Sequence, residues 1–138
     1  MVRVIEHSAD LGLELSAPTA EGVLSEALAG IREVMFTNPP LAGDIKQQFR
    51  LEASDLGLLL VRFLNEMIYW VQNQGFVPTR LEAELSQNQA WVWQGRAWGS
   101  DLEASSQGFK GEVKSATLYR LTFAPCPEGW CARVYLDL

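Results

Sequence analysis

Two carboxylates from opposite ends of the chain could together bind a hard cation. Asp10 stands in the polar turn of Glu6-His7-Ser8-Ala9-Asp10-Leu11-Gly12-Leu13, and Asp137 is followed by Leu138 and its terminal carboxylate. Oxygen donors of this kind suit calcium, which takes about six to eight oxygens and accepts carbonyls and water among them. Spacing does not bring the ends together, so the fold has to. The competing readings are ordinary: a turn Asp bonds the backbone two residues on, and a penultimate Asp can simply be solvated. His7, the only histidine, stands beside Asp10 and invites a general-base role. No Ser or Cys in a nucleophile motif accompanies it, which favours a strand-end His bonded to backbone. A metal-dependent phosphoester hydrolase built on His7, Asp10 and Asp137 remains the catalytic alternative.

Lys114 precedes Ser115 and Thr117 after a polar stretch; to do more than hold solvent it needs a carboxylate or phosphate partner. Cys126 and Cys131 are the only cysteines, too few for a disulfide framework and lacking the second ligand pair of a structural zinc site. Pairing across a hairpin is one option. The scarcity of disulfides in the cytosol favours two reduced thiols. Trp91 and Trp93 share one face of a strand, with Trp98 close by and Gly95 placed to shift the register by a bulge. Aromatics on a sheet can stack bases, but without interleaved basic residues core or protein-interface packing is the better reading.

The elements that would position these residues follow from periodicity. Val2 to Glu6 and Leu11 to Leu15 flank the opening turn as two strands, the second alternating apolar with polar. Thr19 caps a helix with apolar residues at Val23, Leu24, Ala27, Leu28, Ile31, Val34 and Met35, which Asn38-Pro39-Pro40 ends. A weak strand centres on Gln47 to Ala53. Ser54 or Asp55 then caps a second helix, apolar at Leu56, Leu59, Leu60, Phe63, Leu64, Met67, Ile68 and Val71, with Gly75 as its stop. Leu81 to Leu85 and Ala90 to Trp98 make a hairpin about Ser86-Gln87-Asn88-Gln89. Gly99 to Gly111 reads as a flexible polar loop. Val113 to Phe123 is extended, Pro125 to Gly129 is a turn, and Trp130 to Leu138 closes the chain as a strand. Two helices among hairpin-linked strands predict an α+β fold, mainly antiparallel, with both helices packed on the sheet, as one domain over residues 1–138.

Composition narrows the function. The chain has 138 residues, about a fifth of them charged, with 11 Lys and Arg against 17 Asp and Glu for a net charge of −6. That balance fits one globular core. It argues against autonomous nucleic-acid binding, which needs a basic surface to neutralise phosphates. It suits a metal site or a protein partner. No signal peptide is evident, and no apolar run reaches the roughly 20 residues that span a bilayer; the longest, Leu56 to Val71, is broken by Arg62, Asn65 and Glu66. A cytoplasmic protein without membrane association is expected.

Four segments, in order and across nearly the whole chain, resemble the archease family. His7-Ser8-Ala9-Asp10-Leu11-Gly12-Leu13 resembles its HTADxGI start, and Asp55 with Leu64-Asn65-Glu66-Met67-Ile68-Tyr69 its D-x-LL-x-x-x-LNE-LLY helix. Lys114-Ser115-Ala116-Thr117 resembles its KAVTYH strand, and Ala132-Arg133-Val134-Tyr135-Leu136-Asp137-Leu138 its terminal VVLDI. The resemblance implies a non-enzymatic cofactor of RtcB-type RNA ligases that speeds guanylylation of the ligase and supports its multiple turnover in tRNA splicing and RNA repair. It also implies a calcium-type metal held by Asp10, Asp137 and Leu138, with Lys114 as the residue important for activation. The pattern departs at Leu118-Tyr119, where the family has Tyr-His, and at Gly99-Ser100-Asp101, where it has Gly-Glu-Pro. A chaperone-like protein-binding module, with the tryptophan-bearing sheet as its surface, is the alternative from a different class.

Overall fold

A computed structural model describes residues 1–7, 10–103 and 108–138. Ser8 and Ala9 in the expected opening turn, the His7 side chain, and residues 104–107 of the expected polar loop lie outside what is described. The element order is β1 (Val2–His7), β2 (Asp10–Ala17), α1 (Ala20–Met35), β3 (Ile45–Ala53), α2 (Leu56–Gln74), β4 (Phe76–Gln87), β5 (Trp91–Asp101), β6 (Ser115–Ala116), β7 (Thr122–Cys126) and β8 (Gly129–Asp137). The expected α+β architecture is present, with its strands divided between two sheets. One runs β1-β2-β8 and continues on the far side of β8, where β7 pairs with its first half and β6 with its end; the other is β3-β5-β4. Every described ladder is antiparallel.

Local chemistry sets the helix ends. Thr19 Oγ1 accepts the Gly22 N–H at 3.0 Å, and Asp55 Oδ1 accepts the Leu58 N–H at 2.8 Å, so each cap satisfies a donor left over in the first turn. Gly75 ends α2 at φ 65°, a left-handed turn that a Cβ would disfavour. Arg32, in the last turn of α1, donates to the carbonyls of Pro78 (2.8 Å) and Pro40 (2.6 Å), which ties the loop after α1 to β4. Burial lowers the pKa of this guanidinium from its ordinary value.

The core lies where the helices meet both sheets. α1 packs on β2, α2 and β1, with β4 and β8 also in contact, while α2 touches β3, β4 and β5 of the smaller sheet and β6 and β7 of the larger. That double contact explains why α2 is apolar around most of its circumference, burying Leu59, Leu60, Phe63, Leu64, Met67, Trp70 and Val71. Phe49 stacks on Phe63 at a centroid separation of 5.5 Å and meets Trp70 edge-on at 5.7 Å and Trp93 tilted at 6.1 Å, arrangements that aromatic quadrupoles favour.

Three sequence expectations need correction. Cys126 and Cys131 form a disulfide and are not free thiols; the two-residue turn Pro127-Glu128 folds the β7–β8 hairpin so tightly that their Cα atoms stand 5.8 Å apart, within the range a disulfide spans. The β5 ladder runs through Gly95 without a shift, and the irregularity falls between Pro78 and Arg80, where proline has no N–H to offer the ladder. Gly95 answers a different need, since a Cβ there would stand 2.1 Å from the Glu82 carbonyl oxygen. The expected loop from Gly99 starts later, because β5 continues to Asp101 against Phe76 and Val77.

Candidate functional site

The register of the larger sheet brings the two distant carboxylates together. Asp10, the first residue of β2, stands directly opposite Asp137, the last of β8, and His7 pairs in turn with Asp10. Alternation decides which way they face. Leu13 and Leu15 oppose Val134 and Ala132, all buried toward the helices. Asp10, Gly12 and Glu14 therefore share the outer face with Asp137, Tyr135 and Arg133. Asp10 and Asp137 are half-buried, and Leu138 beside them is 43 % exposed. Opposed residues in such a pair have Cβ atoms about 4.5–5.5 Å apart, and like charges there repel. A cation between the carboxylates would turn that repulsion into attraction.

Lys114 is delivered to the same end by an arrangement the sequence reading missed. Its N–H donates to the Asp137 carbonyl at 2.8 Å, and β6 begins at the next residue, with Ser115 paired to Asp137. The other edge of this segment is held by side chains of α2. Asn65 accepts the Ala116 N–H (2.7 Å) and donates to the Ala116 carbonyl (3.3 Å), while Gln72 accepts the Val113 N–H (2.7 Å) and donates to the Val113 carbonyl (2.9 Å). Two amide side chains, two helical turns apart, thus stand in for a neighbouring strand. The sequence trace of this is that Asn65 and Gln72, seven residues apart, share one side of a mostly apolar helix. Val113 and Ala116 are buried and Lys114 is exposed, so the helix fixes the backbone while the lysine reaches outward.

The rest of the outer face supports the pair. Arg133 donates to Glu14 at 2.7 Å, with Arg3 also 3.9 Å from Glu14. Tyr135 lies edge-on to Tyr119 at 5.6 Å, and its ring crosses Gly12 so closely that a Cβ there would be 3.1 Å from it. Tyr119, in the family's His position, therefore serves as a packing partner. It is also 48 % exposed, next to Leu118 at 63 %.

The tryptophans divide between two environments. Trp93 is fully buried, while Trp98 lies on the outer face of the smaller sheet between Lys46 and Arg80, whose charges are 5.2 and 5.0 Å from its ring centroid. Those cations come from β3 and β4, so no linear motif could show them. Beside them, the hydrogen bond from Arg80 holds the Glu82 carboxyl below its ordinary pKa, with Arg96 adding to the effect.

Comparison with known proteins bears on the family and the fold. The model of the archease protein family (MTH1598/TM1083) matches residues 3–138. Protein archease of Methanosarcina barkeri is 26 % identical over 136 residues, spanning 97 % of this chain and 93 % of that protein. The solution structure of Methanobacterium thermoautotrophicum protein 1598 superposes with a TM-score of 0.81 at 19 % identity, covering 99 % of this chain and 98 % of the other. The crystal structure of an archease from Thermotoga maritima, described as a possible chaperone, gives 0.64 at 19 % identity over 100 % and 98 %. With the family pattern matched from Arg3 to Leu138, this chain belongs to the archease protein family.

Proposed function

We propose that this chain activates an RtcB-type RNA ligase, accelerating its guanylylation and supporting multiple turnover in tRNA splicing or RNA repair. The observation that carries the reading is the cross-strand pairing of Asp10 with Asp137, with Lys114 bonded to the same residue. The motif resemblance described above supports a ligase of this class as the partner. The net charge of −6 supports contact with protein in preference to RNA. A cytoplasmic location goes with this reading; among the described residues no helix is long and apolar enough to cross a membrane.

The donor set fits a calcium-type cation: two opposed carboxylates on one face, with Leu138 and its carboxylate one residue further on. Bound there, the cation would neutralise the repelling charges and stiffen the sheet end. Asp10, Asp137 and Leu138 hold that end in shape, and Lys114 presents a positive charge beside it for an anionic group of the ligase. No residue of this chain takes part in bond making; the ligase keeps its own metals and nucleotide.

The test is to mix the protein with its host's ligase and GTP and follow formation of the ligase guanylylate. Faster guanylylation and repeated turnover are expected; an unchanged rate would sink the reading. Asp10→Ala should return the ligase to its unassisted rate. A chaperone-like role, suggested by the description of the Thermotoga maritima protein and by the exposure of Leu118, Tyr119 and Tyr69, predicts instead that unrelated unfolded proteins are protected from aggregation whatever occupies position 10.

A further inference from the structure

The hairpin turn at the opposite end of β8 carries a second group of ligand atoms, which the proposed function does not use. Pro127-Glu128 joins β7 to β8, and this turn sets Cys126, Glu128 and Cys131 side by side. Cys131 Sγ lies 3.5 Å from Glu128 Oε2, and one ligand atom from each of the three residues falls within 4.8 Å of the others. Both cysteines are half-buried and Glu128 is exposed, at the rim of a groove that Arg3, Glu14 and Arg133 also line.

We propose that the reduced hairpin turn binds a borderline-soft divalent cation of the zinc class through both thiolates and the Glu128 carboxylate, with water in the fourth position. Zinc takes sulfur at about 2.3 Å and carboxylate oxygen at about 2.0–2.2 Å around a tetrahedral centre, which puts sulfur and oxygen about 3.5 Å apart and two sulfurs about 3.8 Å apart. The sulfur–oxygen separation already has that value. Reduction releases the sulfurs from their bond, and side-chain rotation then opens them to the distance the metal needs.

The backbone has reason to stay in place meanwhile. Gly129, at φ 117°, packs its Cα so closely on the Ala17-Pro18 backbone that a Cβ would stand 2.7 Å from the Pro18 carbonyl oxygen. The ladder from Thr122 to Cys126 against Gly129 to Arg133 holds the two arms. Reduction consumes two electrons and two protons, supplied by a dithiol that becomes a disulfide itself, and metal binding then releases the two thiol protons. Sulfur donors make this end selective for softer metals than the all-oxygen set at Asp10 and Asp137. Thiol redox state would therefore decide whether the protein holds such an ion at all.

The experiment titrates cobalt(II), then zinc, into the full chain, fully reduced with a phosphine and freed of it under anaerobic conditions, with the oxidised chain in parallel. Cys126 and Cys131 are the only cysteines, so a thiolate-to-cobalt charge-transfer band can arise nowhere else. One equivalent of cobalt with that band, displaced by zinc, is expected from the reduced chain and no band from the oxidised one. Cys131→Ser should lose the band. Glu128→Gln should weaken binding by about tenfold or more, the scale already set by groups one step removed from a metal. Absence of the band from the reduced chain, two chains per metal ion, or unchanged affinity in Glu128→Gln would each overturn the three-donor site.

Discussion

The two ends of β8 make opposite use of the same strand. Its last residue, Asp137, meets Asp10 from the other end of the chain, and the donors there are hard oxygens. Its beginning carries Cys131, which meets Cys126 across a two-residue turn with Glu128 between them, and the donors there are sulfur and one carboxylate. The first pair exists only because a long-range ladder aligned β2 with β8. The second is local, closed by a hairpin five residues in sequence separation. The hard end is built by the fold, while the soft end belongs to one turn and changes with redox state.

The largest expected effect tests the hard end. Asp137→Ala should reduce ligase guanylylation to the unassisted rate while leaving the apo protein as stable as wild type, because the change relieves an opposed like-charge pair on an outer face. Calcium at about 100 times its dissociation constant should raise the stability of wild type by about 2.7 kcal/mol and leave Asp137→Ala unmoved in a thermal melt. An equal calcium response in both proteins would remove Asp137 from the site.

The next effect tests how that end is positioned. Asn65→Ala strips the Ala116 N–H and carbonyl of their partners, costing about 2–3 kcal/mol and lowering the melting temperature by roughly 6–12 °C. Ligase stimulation should fall with it even though Asn65 lies away from the outer face. Full stimulation by the folded variant would show that the α2 amides do not set Lys114.

The smallest effect belongs to the soft end. A disulfide closing so short a loop contributes about 2 kcal/mol by chain entropy, at the low end of its usual range. Reduction should therefore lower the denaturant midpoint modestly without unfolding the chain. Collapse of the fold on reduction would mean the hairpin turn supports the larger sheet, contrary to the local character drawn here.

Much of this was legible in the residues. Helix ends followed from Thr19, Asp55 and Gly75 because capping and left-handed turns are decided by atoms a few positions away. The α+β class followed from the switch between the 3.6-residue and two-residue periods. Asp10, Asp137 and Lys114 could be named because family motifs carry them, and their roles in activation and metal binding still rest on that likeness and on the experiments above. The tertiary structure alone decided the rest, because antiparallel register is a long-range property. It set Asp10 against Asp137, used Asn65 and Gln72 in place of a strand, brought Lys46 and Arg80 over Trp98, and held Cys126 within disulfide reach of Cys131.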